Sequence, residues 1–203
     1  MSIFLIRHGE TAENRQQIVQ PANVPLSDVG QQQASLLADR LAKLDIRKIL
    51  SSDLPRAEQT AHQLRLKSSA TLTLTPILRE RNFGDLRGQS YEHIAVDFFA
   101  EDYLPANGES WNEFNVRVAE AWQQIIALAA KTQGSLAVVT HGLVCRALVV
   151  NHLGLPAGMS LPDKWSNTSL SEFDKFPPHH IRCLDNADHL AKMKINTAAS
   201  AQV

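Results

Sequence analysis

The sequence predicts an α/β fold with three layers: a mostly parallel central sheet with helices on both faces. Three observations predict it. Short apolar runs alternate along the whole chain with longer segments whose apolar residues recur at helical spacing. Two of the runs, residues 3–6 and 136–140, are almost wholly apolar, as strands covered on both faces must be. Both run directly into a turn that carries a histidine followed by glycine, His8-Gly9 in one case and His141-Gly142 in the other.

Each element has its own signal. Residues 3–6 form the first strand, and a loop rich in Gln, Pro and Asn follows from 12 to 25. Ser27 is placed as the N-cap of a helix to about Leu44, with Val29, Ala34, Leu37, Leu41 and Leu44 on one stripe. Residues 48–51 give a second strand. Pro55 suits the first turn of the next helix, to about Leu66. Residues 71–75 alternate, as an edge strand does. Residues 79–105 are irregular and hold Gly84 and Gly88, which reads as an excursion over the active edge of the sheet. Ser110 and Glu113 have capping-box spacing and open a long helix to about Thr132. After the strand at 136–140, a helix ends near Gly154, a suitable C-terminal glycine. Residues 168–174 and 180–184 are the last strands, and the tail from Ala191 carries little signal and is expected to fray. No repeat or linker divides the 203 residues, so one domain over 1–203 is expected.

Composition narrows the class. Twenty basic and 21 acidic residues, with no basic cluster, argue against a nucleic-acid binder. No apolar run approaches a membrane span, and the first run is too short for a signal peptide. Cys145 and Cys183 form no CxxC pair and fit two core thiols in a reducing cytoplasm. His62, His93 and His152 read as surface or helix-face residues. The adjacent pair His179-His180 makes a poor chelate, because neighbouring strand residues face opposite ways. With no HExxH and no Walker-type loop, neither a metal site nor a nucleotide-driven reaction is expected. Trp111, Phe114 and Val118, at helical spacing, read as core.

The chemistry gathers at the strand ends. Carboxyl ends of parallel strands lie on one edge, where ligands bind in open α/β sheets, so His8 and His141 can converge there. Arg7 precedes His8, and Arg56 sits in the first turn after the second strand. Two guanidinium groups favour a phosphate dianion. His8 itself can act as nucleophile, base or ligand.

Ordered blocks along the chain carry a resemblance. They are Arg7-His8-Gly9-Glu10-Thr11 with Asn14, Pro25-Leu26-Ser27-Asp28, and Ser51 to Ala61 around Arg56. Leu78-Arg79-Glu80-Arg81 with Gly84 and Gly88 follows, then Asn107-Gly108-Glu109-Ser110, and last Thr140-His141-Gly142. Together they resemble the histidine phosphatase superfamily, the phosphoglycerate mutase-like proteins, over roughly residues 3–190. The resemblance implies His8 as nucleophile through a phosphohistidine. It implies Arg7, Arg56 and a protonated His141 as transition-state stabilisers, with Asn14 adding a neutral donor. Glu80 is the matching general acid, although Glu10, Glu58 and Glu109 are also at hand. Its pKa must rise above the reference of about 4.3 for that role. Thr168 and Ser169 match a late position that reaches the phosphate. No cofactor is implied, and the partner is a small phosphorylated metabolite; monomer and homodimer are both compatible.

The segment between Glu80 and His141 is short and poor in basic residues, which favours a phosphatase over a mutase. The Asn107-Gly108-Glu109-Ser110 block and the closing residues 184–190 look most like bacterial α-ribazole-5′-phosphate phosphatases of cobalamin assembly. Broad-specificity and fructose-2,6-bisphosphatase-type members are also similar. The chain departs from the family pattern at Gln20-Pro21-Ala22-Asn23 and at Asp85-Leu86-Arg87-Gly88. Arg87, where an acid is frequent, suits a more anionic substrate. A phospho-ligand binder without catalysis is the reading from a different class, and the intact His8, Glu80 and His141 weigh against it.

Overall fold

The computed structural model describes residues 1–191 and 193. Six strands form one sheet in the order β3-β2-β4-β1-β5-β6. They are β1 (Ser2–Arg7), β2 (Ile46–Ser52), β3 (Thr71–Thr75), β4 (Ser135–Thr140), β5 (Leu170–Asp174) and β6 (Ile181–Asn186). β3, β2, β4 and β1 run parallel; β5 pairs antiparallel with β1, and β6 pairs antiparallel with β5 at the edge. Every residue of β1 and β4 is buried, which is why both read as continuous apolar runs.

Alternation along these strands feeds two cores. Ile3, Leu5, Leu136 and Val138 pack on one face against α4 (Trp111–Ala130) and α5 (Gly142–Leu148), through Phe114, Val118, Ile125, Val144 and Leu148. Phe4, Ile6, Ala137 and Val139 pack on the other against α2 (Asp28–Leu41) and α3 (Pro55–Leu66), through Leu37, Leu41, Ala57 and Leu64. This is the three-layer α/β architecture that the sequence predicts. Ser27 caps α2 by accepting from the Gly30 amide, and the Ser110–Glu113 capping box forms.

The structure corrects several local expectations. The loop after β1 begins with a one-turn helix, α1 (Ala12–Arg15), capped by Thr11. The helix after β4 does end at Gly154 (φ 57°) as expected, but it is α-helical only to Leu148 and widens over Val149–Leu153. The late strand starts at Leu170, because Thr168 has φ 54°, outside the extended region. Cys145 is buried but Cys183 is only partly so, and both are free. The expectation for the tail from Ala191 onward falls, apart from 191 and 193, outside the described residues. Among the described residues no helix is long and apolar enough to cross a membrane.

The irregular stretch after β3 folds over the carboxyl edge of the sheet and joins the loop after α1. The Val19 amide donates to the Gln89 carbonyl, the Gly88 amide to the Val19 carbonyl and the Tyr91 amide to the Gln17 carbonyl, and Ile18 bridges Ser90. Val19, Phe83 and Phe98 form a small third core beneath this cover.

Gly9 and Gly30 set how close the His8 loop lies to α2. A Cβ on Gly30 would sit 2.0 Å from the Glu10 carbonyl oxygen, with no flexible side chain to yield. Gly30→Ala is expected to destabilise the protein by about 1–3 kcal/mol or more. Urea unfolding of the variant beside wild type measures it.

Candidate active site

The sheet register assembles the site. Arg7 of β1 pairs with Thr140 of β4, so the next residues, His8 and His141, stand side by side with ring centroids 5.1 Å apart. β2 lies on the other side of β4 and ends at Ser52, whose hydroxyl is 2.9 Å from His141 Nε2. α3 then brings in Arg56 from its first turn.

His8 is fixed from all sides. Its amide donates to the Thr140 carbonyl (2.9 Å), and its own carbonyl accepts from the Thr168 amide (3.2 Å) and from Asn167 Nδ2 (3.1 Å). The Gly9 amide donates to Thr60 on α3, and the Glu10 amide to Gln33 on α2. His8 Nδ1 lies 2.7 Å from the Gly9 carbonyl oxygen, which can only accept, so Nδ1 carries the proton. Nε2 is left with a free lone pair. Burial, then Arg56 and Arg7, push the His8 pKa well below that of a free histidine, so the ring is neutral at physiological pH.

His141 is fully buried beside His8. Burial, then Arg56, lowers its pKa well below the usual value as well. Burial and the two nearby guanidinium groups thus work against the protonated His141 expected from the sequence, until a bound dianion offsets the arginines. Ser52 Oγ already accepts from the Leu54 amide (3.3 Å), so its hydrogen can point at His141 Nε2. That leaves the ring proton on Nδ1, which has no hydrogen-bond partner.

Arg7 and Arg56 are 6% and 2% exposed, respectively, yet neither has a carboxylate within ion-pair distance among the described residues. Each gives one Nη to a carbonyl, of Trp165 and of Pro21, and each keeps a buried Nε with no partner. Burial lowers both pKa values, that of Arg56 to about 10, so both remain cationic. Buried donors without acceptors are costly, at about 1–3 kcal/mol each and more for charged groups. A fold that gathers several of them around one nucleophilic nitrogen is organised for an anion.

Glu80 lines the same cavity, partly exposed through it, and its two oxygens accept from the Arg81 amide (3.0 Å) and the Leu143 amide (3.2 Å). Burial nevertheless raises its pKa, against the lowering by those bonds and by Arg56 and Arg7. The rival carboxylates have other work. Glu10 accepts from Ser27 at the start of α2, Glu58 faces His62 on its own helix, and Glu109 pairs with Arg117 (2.8 Å).

Asn14 lines the cavity from α1. Its Oδ1 accepts from Asn167 Nδ2 (3.2 Å), which leaves its own amide hydrogens free to donate. Arg87 is also on the wall and has no side-chain partner among the described residues. Thr168 and Ser169 are fully buried. Thr168 Oγ1 bonds to the Asn167 carbonyl and to His189, and the two backbones clamp His8 and Arg7. The sequence reading also misses Glu13, Tyr91, Phe99 and Trp165, all on the wall. Trp111, read as core, packs half-buried against the core beside Phe114 and also lines the cavity. Among the described residues no three His, Cys, Asp or Glu side chains converge to hold a metal ion.

A buried, neutral imidazole with a free Nε2, two unpaired guanidinium groups and a carboxyl of raised pKa at the end of parallel strands define a phosphoryl-transfer site. The profile of the histidine phosphatase superfamily (branch 1) matches residues 3–184, and the chain belongs to that superfamily, in the phosphatase class. It is 32% identical over 184 residues to the probable phosphoglycerate mutase GpmB of Enterobacter sp. (86% of this chain, 85% of the relative). It is 31% identical over 207 residues to a probable phosphatase of Schizosaccharomyces pombe (94% and 95%). A solved structure of a putative α-ribazole-5′-phosphate phosphatase from Escherichia coli superposes with a TM-score of 0.78 at 26% identity, covering 92% of this chain and 97% of that one.

Proposed function

We propose that this chain is a metal-independent phosphomonoesterase that works through a phosphohistidine on His8, with α-ribazole-5′-phosphate as the first substrate to test. The observation that carries the reaction class is the set of buried, unpartnered N–H groups of Arg7, Arg56 and His141 around a neutral His8 with Nε2 free. The likeness to the Escherichia coli structure supports the choice of substrate.

The steps balance as follows. His8 Nε2 attacks phosphorus, the N–P bond forms and the ester P–O bond breaks. Glu80, whose pKa burial raises, acts in its protonated form and gives its proton to the leaving alkoxide. Charge on the equatorial oxygens meets Arg7, Arg56, the amide of Asn14 and His141. His141 is neutral beforehand and donates from Nδ1; a bound dianion offsets the arginines and favours a second proton on the ring. Water then enters, Glu80 takes its proton, the N–P bond breaks and inorganic phosphate leaves with His8 restored.

A mutase reading is favoured by the relatives named phosphoglycerate mutase. The two readings differ in product. Turnover of α-ribazole-5′-phosphate, p-nitrophenyl phosphate, fructose 2,6-bisphosphate and 3-phosphoglycerate is measured with chelator present. Stoichiometric release of inorganic phosphate is expected. Phosphate that moves between positions of 3-phosphoglycerate without release would establish the mutase. Loss of all turnover in chelator would overturn metal independence.

Arg87 extends the cationic wall, and burial already lowers its pKa. Arg87→Glu is expected to lower kcat/KM for a bisphosphorylated substrate about tenfold more than for a monophosphate, by loss of one partly screened charge contact. An unchanged ranking of the two substrates would contradict a role for Arg87 in anion selection.

A further inference from the structure

The cavity is about 610 Å³, many times the volume of one phosphoryl group, so most of it receives the alcohol part of the ester. Its outer wall is aromatic. Phe83, Tyr91 and Phe99 come from the covering segment, Trp111 from the start of α4, and Trp165 from the loop before β5. This wall begins at the phosphate clamp itself, because Arg7 donates to the Trp165 carbonyl. Trp111 is held rigidly: its indole N–H donates to the Ala100 carbonyl (2.7 Å), and the Arg81 guanidinium lies 4.0 Å from its ring centroid.

Tyr91 and Phe99 are the telling pair. They are 41% and 43% exposed, respectively, and both line the cavity. Their rings lie 6.2 Å apart at 76°, and Phe99 meets Phe83 edge-on at 5.9 Å. Each also packs on Phe98 of the small third core (5.1 and 4.4 Å between centroids), and the half of each ring left exposed offers flat apolar surface to whatever enters the cavity. Gln17, Gln20, Arg87, Asp163 and Lys164 on the same wall can meet hydroxyl groups, and the rings add flat apolar surface that a planar ring would stack on or meet edge-on.

Resting on the phosphatase reading above, the geometry points to a substrate class: phosphomonoesters whose alcohol carries a planar aromatic ring a few atoms from the phosphate. Tyr91 and Phe99 are the residues that select it. Arg7, Arg56 and His8 treat every phosphoryl group alike, and the aromatic wall discriminates among alcohols.

The test uses a matched pair with the same type of leaving alkoxide, ethyl phosphate and 2-(2-naphthyl)ethyl phosphate, so that leaving-group chemistry cancels. For wild type, kcat/KM is expected to favour the naphthyl ester by about tenfold or more. Phe99→Ser and Tyr91→Ser, both at half-exposed positions, are expected to cut that preference several-fold by lowering kcat/KM for the naphthyl ester far more than for ethyl phosphate. Phe176→Ser, at an exposed aromatic off the cavity (57% exposed), is expected to leave the preference intact. Equal kcat/KM for the two esters in wild type, or variants that lower both esters alike, would overturn the aromatic selection while the phosphatase reading stands. Turnover of neither ester, with p-nitrophenyl phosphate also unhydrolysed, would overturn the phosphatase reading itself.

Discussion

His8→Ala is expected to abolish phosphate ester turnover, with a loss of at least about 10⁴-fold in kcat, as nucleophile removal does in enzymes that work by covalent catalysis. The size follows from the geometry. The neighbouring imidazole cannot substitute, because Ser52 holds His141 Nε2 and only the protonated Nδ1 is left. The anion site survives in the variant, since Arg7 and Arg56 are held by the Trp165 and Pro21 carbonyls and not by His8. His8→Ala is therefore expected to bind inorganic phosphate or vanadate within about tenfold of wild type by titration calorimetry, while steady-state turnover is lost. Turnover reduced only a few-fold would remove His8 from the reaction.

The second large effect is expected at Glu80, and it depends on the leaving group. Glu80→Gln keeps a carbonyl oxygen to accept from one of the Arg81 and Leu143 amides but cannot give a proton. With a poor leaving group such as ethanol the loss is expected at about 10²–10⁴-fold, and with p-nitrophenol under tenfold, because that anion departs unaided. The pH profile carries the same signature. The active form has His8 neutral and Glu80 protonated. The acid limb lies well below the ordinary histidine pKa, because burial and the two arginines depress that of His8. The alkaline limb reports Glu80, raised by burial, and activity falls as pH rises through it. Glu80→Gln is expected to erase the alkaline limb only. Equal losses with both leaving groups, or a retained alkaline limb, would assign the acid elsewhere, with Glu13 the next carboxylate on the wall.

Much of this site is legible in the sequence because the sheet does the placing. An almost wholly apolar run can only be a strand covered on both faces, and two such strands in parallel must deliver Arg7, His8 and His141 to one edge. Arg56 follows from a proline that fixes the helix start one residue before it. What the sequence hides is set by contacts, not periodicity. Thr168 looks like the start of a strand, yet the clamp on the His8 carbonyl needs it in the left-handed region. His141 looks like a cation, but only the finished pocket shows how completely burial and two guanidinium groups keep it neutral. The covering segment has no repeat to read. Its course is decided by pairing with residues 17–19 and by Arg81, which is 1% exposed and donates to the Glu109, Phe98 and Tyr103 carbonyls. The aromatic wall comes with that course.

The central claim is that phosphate passes through His8. Rapid acid-free quench of the enzyme during turnover of a ³²P-labelled ester, followed by peptide mapping, tests it most directly. The account predicts an acid-labile, base-stable phosphoryl label on the peptide carrying His8, more abundant in Glu80→Gln when a good leaving group is used and absent in His8→Ala. Turnover at full rate with no labelled peptide, or a label that survives His8→Ala, would contradict it.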